Sequence, residues 1–107
     1  LMMQRPVRIV ALTEPGLALA KRLQQLCPKA QLCYKPKPFA ATVQQAFVDG
    51  EALVMVCATG IAVRTLAAVL NNKQQDPPVL VLDELGQFVI PLLSGHEGGA
   101  NEFANQV

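Results

Sequence analysis

The chain has 107 residues, of which 51% are hydrophobic and 16% charged, with a formal net charge of +1. Such a balance suits one packed domain and excludes a disordered chain, and near-neutrality excludes a general electrostatic pull toward nucleic acid or a membrane surface. No apolar run approaches the roughly 20 residues a bilayer requires. Leu1 to Pro6 is too short and polar for a signal peptide, so the expected location is the cytoplasm.

Taken in chain order, Val7 to Leu12 is short, apolar and β-branched, a buried strand. Thr13 offers a helix N-cap, and Pro15 is tolerated in the first turn. Leu17, Leu19, Ala20, Leu23 and Leu26 then fall on one helical face, and the helix ends before Pro28. Ala30 to Tyr34 reads as a second strand, broken by Lys35-Pro36-Lys37-Pro38, a stiff basic loop. Phe39 to Val48 is an amphipathic helix stopped near Gly50. Leu53 to Ala58 is the most apolar run and the candidate for a central parallel strand. Thr59-Gly60 turns the chain into a helix over Ile61 to Leu70.

A polar loop, Asn71 to Pro78, leads to a strand at Val79 to Leu82. The turn Asp83 to Gln87 is too short for a crossover helix, so Phe88 to Leu93 must pair back as an antiparallel hairpin. The order β-α-β-α-β-α-β-β-α predicts a three-layer α/β sandwich. Its five-stranded sheet is mostly parallel, with strand order 2-1-3-4-5, and ends in the antiparallel hairpin. A last helix would begin near His96. The chain stops in the middle of that pattern at Val107, as a single α/β domain forming the N-terminal part of a longer protein would. Cys27, Cys33 and Cys57 have no CxxC spacing and read as three buried thiols; no protein metal site is expected.

Two strand-to-helix junctions invite a chemical reading. At Ala58-Thr59-Gly60-Ile61, free amides at a helix start offer an anion site, and Gly60 admits a ligand close to the backbone. Thr59 could cap the helix or bond a ligand. Arg64, one turn on, could reach back to a carboxylate. The bland alternative is an ordinary helix start with a solvated arginine. Neither GxxxxGK[ST] nor GxGxxG is present. The second junction is Ser94-Gly95-His96-Glu97-Gly98-Gly99. It carries the single histidine, whose side chain titrates near neutrality and suits proton transfer. Ser94 lacks a nucleophile elbow. If both junctions lie at one sheet edge, they frame a single cleft rich in backbone donors.

Three stretches then carry a family resemblance: Cys57-Ala58-Thr59-Gly60-Ile61-Ala62-Val63-Arg64, Asp76 to Ile90, and Leu92-Leu93-Ser94-Gly95-His96-Glu97-Gly98-Gly99-Ala100-Asn101-Glu102. Together they resemble the N-terminal domain of the CbiG family, the cobalt-precorrin-5A hydrolases of anaerobic cobalamin synthesis. The likeness is dense from Val54 to Ala104 and thin before Phe39. It implies opening of the δ-lactone of cobalt-precorrin-5A, with release of acetaldehyde to give cobalt-precorrin-5B. The implied partners are the cobalt-corrinoid substrate, which brings its own cobalt so that no further cofactor is needed, and a C-terminal domain of the same protein. Self-association as a homodimer is left open, and neither nucleic acid nor membrane is expected.

On this reading His96 and Ser94 are the candidate catalytic residues. Thr59, Gly60, Arg64, Gly95, Gly98, Gly99 and Asn101 are the candidate substrate-binding residues, with Lys35 or Lys37 as further partners for carboxylates. Two other classes stay open: a corrinoid-binding module without catalysis, and a phosphate- or nucleotide-binding α/β enzyme built on Thr59-Gly60.

Overall fold

The computed structural model describes residues 5–70 and 76–93. Five strands and three helices follow one another as β1 (Val7–Ala11), α1 (Glu14–Leu26), β2 (Gln31–Tyr34), α2 (Phe39–Val48), β3 (Ala52–Val56), α3 (Thr59–Ala67), β4 (Val79–Leu82) and β5 (Val89–Leu93). They form one sheet in the order β2-β1-β3-β4-β5, parallel except for the antiparallel β4–β5 pair. The predicted class and strand order are both observed. The predicted helix after His96 lies outside the described residues.

Apart from Arg8, the residues of β1, β3 and β4 point to one of two apolar layers, because strand side chains alternate across the sheet. Ile9, Ala11, Val54, Val56, Leu80 and Leu82 pack under α1 through Leu19, Ala20 and Leu23. Val10, Leu53, Met55, Val79 and Val81 pack on the other face, under Val43, Ala46 and Phe47 of α2 and Ala62 and Leu66 of α3. All five β3 residues are buried, as a central parallel strand covered on both faces requires. Gln44 of α2 donates its Nε2 to the Thr65 carbonyl of α3 at 2.9 Å and ties the two helices of that layer.

Several boundaries differ from the sequence reading. α3 begins at Thr59 rather than Ile61 and ends at Ala67 rather than Leu70. A glycine is tolerated in a first turn because amides there have no intrahelical partner to lose. The far end tightens, with the Val69 and Leu70 amides both donating to the Leu66 carbonyl. As the predicted strand order implies, β5 is an edge strand, and it begins at Val89 rather than Phe88. Phe88 and Ile90 are exposed, and Pro91 sits where its missing amide costs no ladder bond to a further strand. The three cysteines are free and partly exposed, not buried, because each lies at or next to the end of an element.

Away from the site developed below, Arg8 of β1 forms a bidentate pair with Glu51, Nε to Oε1 at 2.8 Å and Nη2 to Oε2 at 3.1 Å. Its Nη1 donates to Cys33 Sγ at 3.1 Å. The carboxylate holds Arg8 protonated still more firmly than usual. Both ion-pair partners are largely covered, so this contact fastens β1, β2 and the start of β3 together.

Candidate functional site at the carboxyl edge of the sheet

The chain leaves β1 through α1 toward β2 on one face, and leaves β3 through α3 toward β4 on the other. The winding direction therefore reverses between β1 and β3. Open α/β sheets take ligands in the crevice outside the strand ends at such a switch point. Two helices begin there, and they are built differently.

At the start of α1, Thr13 is the N-cap, with extended backbone at φ −131° and ψ 163°. Its Oγ1 accepts the Gly16 amide at 3.1 Å, as the sequence predicts. The same hydroxyl donates to Glu84 Oε1 at 2.7 Å. A Cβ on Gly16 would lie 3.1 Å from Thr13 Oγ1 and 3.3 Å from Val56 Cγ1. This first turn thus rests directly on the end of β3. Glu14 adds a second carboxylate beside the helix start.

Glu84 is delivered by the β4–β5 turn, which Asp83 shapes. Asp83 Oδ1 accepts the Phe88 amide at 2.7 Å and Oδ2 the Leu85 amide at 3.3 Å. The Gly86 amide donates to the Asp83 carbonyl at 3.0 Å, and Gly86 takes φ +71°, which an L side chain rarely adopts. A Cβ on Gly86 would meet Leu19 Cδ1 at 3.3 Å, so the turn is seated on α1.

At the start of α3 the N-cap is Ala58, and no side chain bonds the first amides. Thr59 occupies the first helical position, so of the two roles open to it, cap or ligand contact, the cap is not taken; the helix starts one residue too early for its hydroxyl to serve. Gly60 is exposed, and the Arg64 guanidinium folds back one turn over it. A Cβ on Gly60 would stand 3.4 Å from Arg64 Nη1. That direction is intrinsic, since helical side chains lean toward the N-terminus. Arg64 makes no ion pair among the described residues. Cys57, just before this start, has its thiol pushed up to about 11 by burial, although the Ala62 amide facing the sulfur partly opposes the shift. At physiological pH it is a neutral thiol.

Lys35 also lies at this edge. Its amide donates to the Ala11 carbonyl at 2.9 Å, continuing the β1–β2 pairing, and its φ is +47°. Its Nζ sits 5.3 Å from the Tyr34 ring centroid. Lys35 and Lys37 are both exposed on the loop into α2, whose start likewise has no side-chain cap. Among the described residues no group of three or more His, Cys, Asp or Glu is placed to hold a metal ion, and no helix is long and apolar enough to cross a membrane.

Of the predicted site residues, the structure brings Thr59, Gly60 and Arg64 together. Ser94, Gly95, His96, Gly98, Gly99 and Asn101 lie outside the described residues. Whether both junctions share one sheet edge thus turns on residues outside the described ones; what is described is where β5 ends. Leu93 pairs with Val79, the first residue of β4, whereas Val56, which leads to Thr59-Gly60, pairs with Leu82, the last. An antiparallel β5 exits at the edge opposite α3's start, about 10 Å away along β4. Sequence reasoning missed the Thr13–Glu84 contact. Its only sequence signal was a cap threonine and an acidic turn, 71 residues apart.

Residues 41–107 match the family model described as cobalamin synthesis G N-terminal. The chain is 46% identical to the cobalt-precorrin-5A hydrolase of Salmonella typhimurium over 107 aligned residues, covering 89% of this chain and 30% of that protein. It is 31% identical to the cobalt-precorrin-5A hydrolase of Priestia megaterium, covering 92% of this chain and 31% of that one. The chain thus spans about a third of the length of these relatives. The fold matches the crystal structure of a cobalamin biosynthesis protein G homolog from Sulfolobus solfataricus with a TM-score of 0.75 at 24% identity, over 95% of this chain and 33% of that one. With the family model covering more than half of the chain, this α/β domain belongs to the N-terminal CbiG family of cobalamin synthesis.

Proposed function

We propose that this chain is the N-terminal part of a cytoplasmic cobalt-precorrin-5A hydrolase and that its carboxyl-edge crevice holds carboxylate arms of the corrinoid. The observation that carries the reading is the 46% identity to a relative of that name, extending across the stretch with both glycine-bearing junctions. The α3 start supports it: amides without a side-chain cap, an exposed Gly60 and an Arg64 with no ion pair among the described residues converge where an anionic group can approach. Cobalt belongs to the substrate.

The reaction adds water across the lactone carbonyl, giving a carboxylic acid and a free hydroxyl, and then expels acetaldehyde with carbon–carbon cleavage. It needs donors for the tetrahedral oxyanion and a group that moves a proton. His96 is the proposed proton carrier. Backbone amides from Ser94 to Gly99 are the proposed oxyanion donors, with Asn101 as a further contact. Because β5 exits at the opposite edge, the lactone and the carboxylates held by Arg64 are assigned to different parts of a large ligand. A C-terminal domain is proposed to complete the site.

Titration with a cobalt corrinoid, followed by corrin absorption and backbone amide shifts, tests this. Saturable shifts at Gly60 and from Ser94 to Asn101 are expected. Shifts confined elsewhere, or none, would refute the crevice. His96→Ala in the full-length protein should slow acetaldehyde release by about 10²-fold or more. An undiminished rate would remove His96 from the chemistry.

A further inference from the structure

We infer that Glu84 determines the electrostatic polarity of the carboxyl-edge crevice and so fixes the side on which a polycarboxylate ligand is seated; this rests on the function proposed above. The two helix starts at the switch point are equivalent in topology and opposite in charge. On the α1 side, Thr13 consumes an amide and carries Glu84 on its hydroxyl, with Glu14 beside it. A carboxylate at this place offsets the positive end of the helix dipole and repels a second carboxylate. On the α3 side the amides are uncapped and Arg64 lies over Gly60.

Of the three acidic groups on the α1 side, Asp83 is already occupied by two amides of its own turn. Glu14 sits in the first turn of α1 itself. Glu84, from the same β4–β5 turn as Asp83, is the one whose carboxylate is held at α1's start, through Thr13, where Gly16 approaches Val56 at the end of β3. The helix start nearer the acidic turn is closed to anions, and the other is left open to them. A macrocycle bearing several carboxylates is thereby oriented, with its anionic arms toward Arg64 and the exposed Lys35 and Lys37 and away from α1.

The test uses dicyanocobyrinic acid, whose side chains are free carboxylates, and its methyl ester as an uncharged control. In Glu84→Gln the amide oxygen can still take the Thr13 proton, so the link persists while the charge is lost. Its affinity for the acid should rise about threefold at low salt, with no change for the ester and with the gain vanishing at high salt. Thr13→Val, which keeps the charge, should not tighten binding. Arg64→Gln should weaken binding of the acid at least threefold.

Unchanged affinity in Glu84→Gln alongside weakened binding in Arg64→Gln would overturn the role of Glu84 and leave the proposed crevice standing. Tightening in Thr13→Val would assign the effect to the lost bond and overturn it as well. No effect of Arg64→Gln, or no binding by the parent chain, would remove the crevice and Glu84's role together.

Discussion

The starts of α1 and α3 occupy equivalent places in the winding, on opposite faces of one sheet, and differ by a single offset. In Thr13-Glu14-Pro15-Gly16 the threonine falls on the N-cap, where its oxygen can reach an amide. In Ala58-Thr59-Gly60 the threonine falls one position later, inside the helix, and the cap is an alanine. One residue of phase decides whether a helix end is sealed by the protein or left to a ligand. The glycines differ in the same sense. Gly16 is hemmed by β3, whereas Gly60 is exposed and its nearest neighbour among the described residues is the tip of a flexible arginine. Closure supports the fold, and openness costs little stability because water solvates the free amides.

The largest effect is expected where closure is tightest. Gly16→Val should destabilise the chain by about 2–3 kcal/mol in urea unfolding, because the added atoms press on Thr13 and Val56. A near-neutral result would mean that α1 is not seated on β3. Next, Thr13→Ala should cost about 1 kcal/mol, moving the urea midpoint with an unchanged slope. Thr59→Ala should fall within about 0.5 kcal/mol. Equal losses at the two threonines would erase the distinction between a capped and an uncapped start.

Smaller still, Gly60→Ala should gain about 0.5 kcal/mol, since alanine suits a helix and only the Arg64 tip must adjust. The same change should weaken corrinoid binding by crowding the approach. A variant both more stable and tighter-binding would break the link between openness and ligand access. The least effect concerns Cys57. Its thiol is raised from 9.0 to about 11 by burial, so the folded state holds the proton more tightly than the unfolded one. That contribution to stability is present below about pH 9 and fades as the pH rises toward 11. Alkylation of Cys57 should accordingly stay slow at pH 8 and accelerate toward pH 11. Fast reaction at pH 7 would show a thiolate at the open helix start and change the chemistry available there.

Much of the fold was legible because its signals are local. Apolar β-branched runs mark β1, β3 and β4, the leucine stripe marks α1, and Pro28 and Gly50 stop helices where expected. The short Asp83–Gln87 link forced the antiparallel pair on geometric grounds. Part of the site was legible for the same reason: Arg64 lies one turn from Gly60, and helix geometry alone lays its guanidinium there. The start of α3 was misplaced because Thr59 and Gly60 both carry loop propensity. That propensity is overridden once Ala62 and Leu66 are buried under the sheet.

By itself, the sequence determined the elements seen among the described residues, their order, the handed crossovers that set the strand order, and membership of a family. Those properties depend on periodicity, chain breakers and motif spacing, all of which act over a few residues. Tertiary structure alone decided which groups meet. Glu84 reaches Thr13 across 71 positions because β4 lies beside β3 and the Asp83 turn leans on α1. The exit of β5 lies away from Gly60 because an antiparallel strand returns its chain to the opposite edge. Distances across a sheet follow from strand order, register and direction, and no local pattern along the chain encodes them.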